Sequence, residues 1–371
     1  MPADAPSPLQ ALSALGQSVW VDFLSRSSIN GGHLQELIDD YSVVGATSNP
    51  SIFEKAMGEG DAYDEQIQEL ARQGTSVDDT FWVLAQQDIA AACALFRGVW
   101  DAGQGRDGYV SLEVDPRLAY DTLATFREAM RLHTEIDLPN LMVKIPATKP
   151  GLASIEDVIA KGRSINVTLI FSLARYAEVA ESYVRGIERL VAEGGDPRKV
   201  ASVASFFVSR IDTETDARLD AIGGHDELKG KLAIANAKLA YAHYLDVFSG
   251  ERWQYLAGKG ATPQRVLWAS TSVKNPAYQD TLYVEELLGP DTVNTMPEET
   301  IKDYQDHGRP QPRLQSGLEE AHAVFAGLER AGVDYDDVTA TLEREGVEKF
   351  EAAFAALIET LAGKRDSLAP A

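Results

Sequence analysis

Short apolar runs recur along the chain, and after each one apolar residues return every three to four positions. The runs are VWVD (19–22), SVVGATSN (42–49), YVSLEV (109–114), LMVKIPAT (141–148), SINVTLIF (164–171), VASVASFFVSR (200–210), RVLWAST (265–271) and TVNTM (292–296). Such runs, bounded by turn residues, read as buried strands, and the 3.6-residue spacing between them reads as amphipathic helix. The clearest helix carries Leu173, Tyr176, Ala177, Ala180, Tyr183, Val184, Ile187, Leu190 and Val191 on one stripe. Asp115-Pro116 stands in N-cap and N1 order, and Pro297-Glu298-Glu299 puts acids in a first turn.

Parallel strands need long crossovers, and helices supply them. Eight strand–helix alternations therefore predict an α/β fold of the (β/α)8 TIM-barrel type, since eight strands close a barrel. An open doubly wound sheet is the alternative. Residues 228–248 are expected to form a long helix, and 250–264 an insertion before the seventh strand. Val347, Phe350, Phe354, Leu357 and Leu361 recur at spacings of three and four, which predicts a C-terminal helix packed on the barrel within an extension over 312–371. The chain, 1–371, is expected to be a single domain, with a frayed N-terminus at 1–17.

Residues two apart on a strand share a face. Ser111 and Glu113 share one, as do Asn166 and Thr168, Ser205 and Phe207, and Lys144 with Met142 and Pro146. The intervening residues are apolar and suit a helix-covered exterior, so the polar ones point into the barrel. An ammonium group is costly to bury without a partner, which makes Lys144 the most informative of them. Each also has an ordinary reading: Lys144 as an edge-strand guard, Glu113 as a solvated strand end, Asn49 and Asp22 as helix caps. Their convergence on one lumen favours a site.

The formal net charge of -23 disfavours nucleic-acid binding, so any phosphate site must be built locally. The single cysteine, Cys93, excludes an internal disulfide and falls on the apolar face of a helical pattern. The six histidines are scattered, without metal-site spacing. The segment 103–108 matches GxGxxG but follows a helix and precedes a strand, the wrong order for a dinucleotide site. No signal peptide or membrane span is evident, so a cytoplasmic location without membrane partners is expected.

One lysine with acids, and neither thiol nor metal ligands, suits Schiff-base catalysis on a carbonyl. The free amine is the nucleophile; at an ordinary lysine pKa of about 10.4 it is scarce near neutrality, and burial favours it. Carboxylates oppose that effect, so Asp22 and Glu113 are expected to reach Lys144 through water or a hydroxyl rather than directly.

The stretches WVDFLSR, GATSNPSIF, SLEVDPRLAYD, MVKIPAT, INVTLIFS, SFFVSRID, WASTSVKN and VNTMPEETI, spanning 20–301, resemble transaldolases of the class I Schiff-base aldolase superfamily. The resemblance implies a cofactor-free transferase of the pentose phosphate pathway. A dihydroxyacetone unit would pass from sedoheptulose 7-phosphate or fructose 6-phosphate to glyceraldehyde 3-phosphate or erythrose 4-phosphate. By the same resemblance Lys144 is the Schiff-base lysine and Asp22 the acid/base of C–C cleavage. Glu113 and Thr168 would hold a proton-shuttling water. Asn49 and Asn166 would bind the dihydroxyacetone hydroxyls, supported by Thr47 and Ser111, with Ser205 and Phe207 lining the pocket. Arg210, Ser270 and Lys274 would bind phosphate. Lys274, Ser209 and Phe206 depart from the family pattern, which has arginine, glycine and proline there. The competing readings are a fructose-6-phosphate aldolase-type lyase, a pyridoxal-phosphate enzyme, and a non-catalytic sugar-phosphate-binding barrel.

Overall fold

The computed structural model describes residues 6–368. Eight strands form a closed barrel: β1 (Gln17–Val21), β2 (Val43–Thr47), β3 (Val110–Glu113), β4 (Leu141–Pro146), β5 (Ile165–Ile170), β6 (Ser202–Phe207), β7 (Arg265–Ala269) and β8 (Thr292–Met296). All neighbours are parallel, and β8 pairs with β1 to close the ring. The expected (β/α)8 barrel is therefore the fold, and the open sheet is excluded. Seven strands fall within their apolar runs, and β1 starts two residues before its run, at Gln17.

Outward-facing strand residues pack on the surrounding helices. Val143, Ile145, Val167 and Phe206 are fully buried, and Phe206 meets Tyr176 and Trp268 edge-on. Helix Leu173–Ala192 buries six of the nine residues of the predicted stripe, with Leu173, Ala177 and Val191 partly exposed, and is capped by Ser172, whose hydroxyl accepts from the Arg175 N–H. Inside the barrel, Trp20 fills the space beside Gly45. A Cβ on Gly45 would lie 2.6 Å from the indole, so only glycine fits there.

The N-terminal end of the barrel is shut by a polar cluster. Arg265 donates to Asp107 at 2.9 Å and to Ser18 at 2.8 Å, and Trp20 Nε1 donates to the same Asp107 at 3.2 Å. The opposite end stays open, and active sites form at that end of such barrels.

Four expectations change in detail. Residues 1–5 of the segment expected to be frayed lie outside the described residues. Pro8–Ala14 forms a helix with a Ser7–Gln10 capping box, because Leu9 and Leu12 find buried positions. Asp115-Pro116 opens only a 3₁₀ turn, Pro116–Leu118, and the helix starts at Thr122 behind the Asp121 cap. The helix expected from 228 begins at Leu232, and the following insertion contains a helix at Glu251–Ala257. The C-terminal segment holds two helices, Leu318–Ala331 and Tyr335–Ser367, and residues 369–371 lie outside the described residues.

Candidate active site

A cavity of about 250 Å³ opens at the C-terminal mouth of the barrel. Ten of the thirteen expected site residues line it: Asp22, Thr47, Asn49, Lys144, Thr168, Ser205, Phe207, Arg210, Ser270 and Lys274. Ser111, Glu113 and Asn166 are buried behind it: Glu113 meets Lys144, Asn166 meets Ser205, and Ser111 meets Asn166.

Strand register brings the central groups together. Glu113 on β3 pairs with Lys144 on β4, which pairs with Asn166 on β5. Side chains at matched positions point to the same face, so all three enter the lumen side by side. Lys144 Nζ donates to the Ser48 carbonyl at 2.9 Å and lies 3.6 Å from Glu113 Oε2. That second separation is an ion pair, longer than a hydrogen bond, and Oε2 keeps no hydrogen-bond partner. The expectation that a hydroxyl or water would separate both carboxylates from Lys144 is corrected for Glu113, because adjacent register partners stand too close. Asp22 is instead tied to a hydroxyl: Thr47 donates to it at 2.6 Å, and Thr47 shares a 2.7 Å hydrogen bond with Thr295.

Burial pushes the Glu113 carboxyl up to about 7, against the opposing pull of Lys144. Its surroundings explain this, since Phe53, Phe81 and Phe354 border the same small gap. Burial also raises Asp22, opposed by Lys144, by the Thr47 hydrogen bond and by Arg210. Near neutral pH, Glu113 is thus poised to give or take a proton.

A hydroxyl–amide chain stiffens the floor. Asn166 donates from Nδ2 to Ser111 at 3.1 Å and accepts from Ser205 at 2.6 Å. Asn49 is both cap and site residue: its Oδ1 accepts from the Ile52 N–H of helix Pro50–Gly58, which leaves its amide nitrogen for the cavity. Thr168 Oγ1 is buried without a partner.

The other end of the cavity is cationic. Arg210 stands in the first turn of helix Ser209–Ile222, with its guanidinium 5.1 Å from the Phe207 ring centroid and Nη1 unpartnered. Burial lowers its pKa, opposed by Asp22 and Glu345. Ser209 shares a 2.9 Å hydrogen bond with Ser270, which joins the ends of β6 and β7. Lys274 donates to Ser272 at 2.6 Å. Two non-glycine residues here hold left-handed backbone, Leu169 at φ 60° and Ser270 at φ 57°. Such strain, about 1–3 kcal/mol each, clusters at functional sites.

Ser48, Thr295 and Phe350 also belong to this site and were not singled out in the sequence. Ser48 acts through its carbonyl, which no side-chain pattern reports. Thr295 could have been found by two-residue alternation from Val293 on β8. Phe350 comes from the C-terminal helix; it lines the cavity, with Lys144 Nζ 5.9 Å from its ring centroid.

Cys93 is a core residue, as expected. It is buried, its Sγ faces the Asn140 carbonyl at 3.8 Å, and burial pushes its pKa up to about 12.

No described helix is long and apolar enough to cross a membrane. The Transaldolase/Fructose-6-phosphate aldolase family profile matches residues 19–361. A transaldolase of Saccharopolyspora erythraea is 54% identical over 361 residues, covering 97% of this chain and 98% of its own. Transaldolase 1 of Streptomyces coelicolor is 52% identical, covering 97% of this chain and 95% of its own. A Mycobacterium tuberculosis transaldolase is 52% identical over the full length of both chains. With that breadth of identity laid over a lysine-centred barrel mouth, the chain belongs to the transaldolase/fructose-6-phosphate aldolase family.

Proposed function

We propose that the protein is a transaldolase that moves a dihydroxyacetone unit between sugar phosphates through a Schiff base on Lys144, acting in the pentose phosphate pathway in the cytoplasm. The observation that carries this reading is the buried amine of Lys144 in one site with two carboxyl groups that burial raises, Glu113 to about 7, and with Arg210 across the same cavity, its Nη1 unpartnered.

The amine of Lys144 attacks C2 of the ketose. A C–N bond forms and the carbonyl oxygen leaves as water, with Glu113 and Thr168 relaying protons. The resulting iminium withdraws electrons from the C3–C4 bond. Asp22 takes the C4 hydroxyl proton as that bond breaks and the first aldehyde departs. The enamine then attacks the acceptor aldehyde, Asp22 returns its proton, and water hydrolyses the imine. Asn49 and Asn166 hold the three-carbon fragment by hydrogen bonds and offer no acidic proton, so it survives the exchange. Arg210, Ser270 and Lys274 bind the phosphate; Lys274 contributes a point charge where a guanidinium would form a fork.

The lyase reading remains the second one, and Phe207 weighs against it. An aromatic ring without a hydroxyl at that wall cannot protonate the enamine.

Borohydride reduction in the presence of fructose 6-phosphate tests the proposal. A stable adduct of the mass of reduced dihydroxyacetone is expected on Lys144, and none in Lys144→Met. A parent protein that forms no adduct refutes the reading.

A further inference from the structure

We infer that Phe350 is a specificity-determining residue that shields the Lys144-bound three-carbon fragment from solvent and so favours transfer over net cleavage. This rests on the proposed Schiff-base reading and deepens it.

The C-terminal helix crosses the barrel mouth with Gly346, Phe350 and Phe354 on one face, four residues apart. At Gly346 the helix comes close: a Cβ there would lie 3.1 Å from the Leu169 side chain and 3.4 Å from the Phe171 ring. Leu169 is the residue held in left-handed backbone, directly after Thr168 and beside the register shift between β5 and β6. At the other end, Phe354 stacks edge-on with Phe81 at 5.3 Å, and Phe81 with Phe53 at 5.7 Å. Phe350 lies between these two anchors. It is 8% exposed, lines the cavity and faces the Lys144 amine. A phenylalanine so placed supplies no proton and excludes water from the nitrogen side of the pocket. Water exclusion of this kind suppresses side reactions of bound intermediates.

The side reaction has a defined balance. The enamine carbon takes a proton from solvent, the iminium adds water, and the C–N bond breaks. Dihydroxyacetone leaves and the Lys144 amine is restored. In D2O the released dihydroxyacetone carries one deuterium.

The test compares parent, Phe350→Leu and Phe350→Ala for two rates measured on fructose 6-phosphate. One is transfer to erythrose 4-phosphate, and the other is acceptor-free release of monodeuterated dihydroxyacetone in D2O. The ratio of release to transfer is expected to rise on the order of tenfold in Phe350→Ala and about threefold in Phe350→Leu. Damage that merely lowers the amount of active protein leaves the ratio unchanged. Borohydride adducts are measured on the same samples. An adduct in the parent with an unchanged ratio in both variants overturns this inference alone, and no adduct in the parent overturns the Schiff-base reading beneath it. Should Phe350→Ala fail to fold, an unchanged ratio in Phe350→Leu is decisive against the inference.

Discussion

Replacing Glu113 by glutamine should separate stability from activity, in opposite directions. The carboxyl is raised from an ordinary 4.5 to about 7, chiefly by burial and in spite of Lys144 at 3.6 Å. Its protonated form is therefore favoured in the folded state. That stabilising contribution is fully present below pH 4.5 and is lost as pH rises through about 7. Ionisation of Glu113 then costs the fold about 3 kcal/mol at pH 8, at about 1.36 kcal/mol per pKa unit. Glutamine resembles the protonated acid and never ionises. Glu113→Gln should thus match the parent near pH 4 and exceed it by up to about 3 kcal/mol at pH 8, read by urea unfolding. Catalysis should move the other way. An amide cannot cycle a proton, and loss of a general acid–base group lowers rates by about 10²–10⁴. The parent should lose kcat/KM below about pH 7 as Glu113 takes up its proton, and the variant should lack that limb. A variant that keeps the limb and most of the rate, or is less stable than the parent at pH 8, would show that Glu113 is not the group poised here.

Two further substitutions probe opposite ends of the barrel. Arg210→Gln should raise KM for phosphorylated substrates about tenfold or more, since hydrogen bonds to charged groups contribute about 1.5–3 kcal/mol, with kcat little changed; steady-state kinetics with an unchanged KM would place the phosphate elsewhere. Arg265→Leu strands Asp107, which it meets at 2.9 Å with the Arg265 side chain 9% exposed. Stability should fall by about 3 kcal/mol in urea unfolding, with KM and kcat of the surviving enzyme intact. Unfolding at the parent's midpoint would deny that cluster any structural weight.

The strands were legible because burial on both faces leaves an uninterrupted apolar signature, and the polar interruptions Lys144, Glu113 and Thr168 stand out against it. Pairing of Glu113 with Lys144 was not legible. Register depends on how eight strands stagger around the ring, which no local pattern encodes. Ser48 escaped because its contribution is a backbone carbonyl. Phe350 was visible as part of a helical stripe, but its target lies more than two hundred positions earlier in the chain, at Lys144. The left-handed turn at Leu169 follows from the β5–β6 irregularity and gives no compositional hint, since leucine is an unusual occupant of such backbone. Asp115-Pro116 misled about length, because Asp121 provides a second and better start for the helix.

The closed floor of the barrel bears on how such a protein can diversify. Arg265, Asp107, Ser18 and Trp20 lock one end using residues that line no part of the mouth cavity. Rim loops at the far end, including the one bearing Ser272 and Lys274, can drift toward new acceptor aldehydes while the foundation is inherited unchanged. A lineage exploring substrates from this scaffold would vary at one pole and stay frozen at the other.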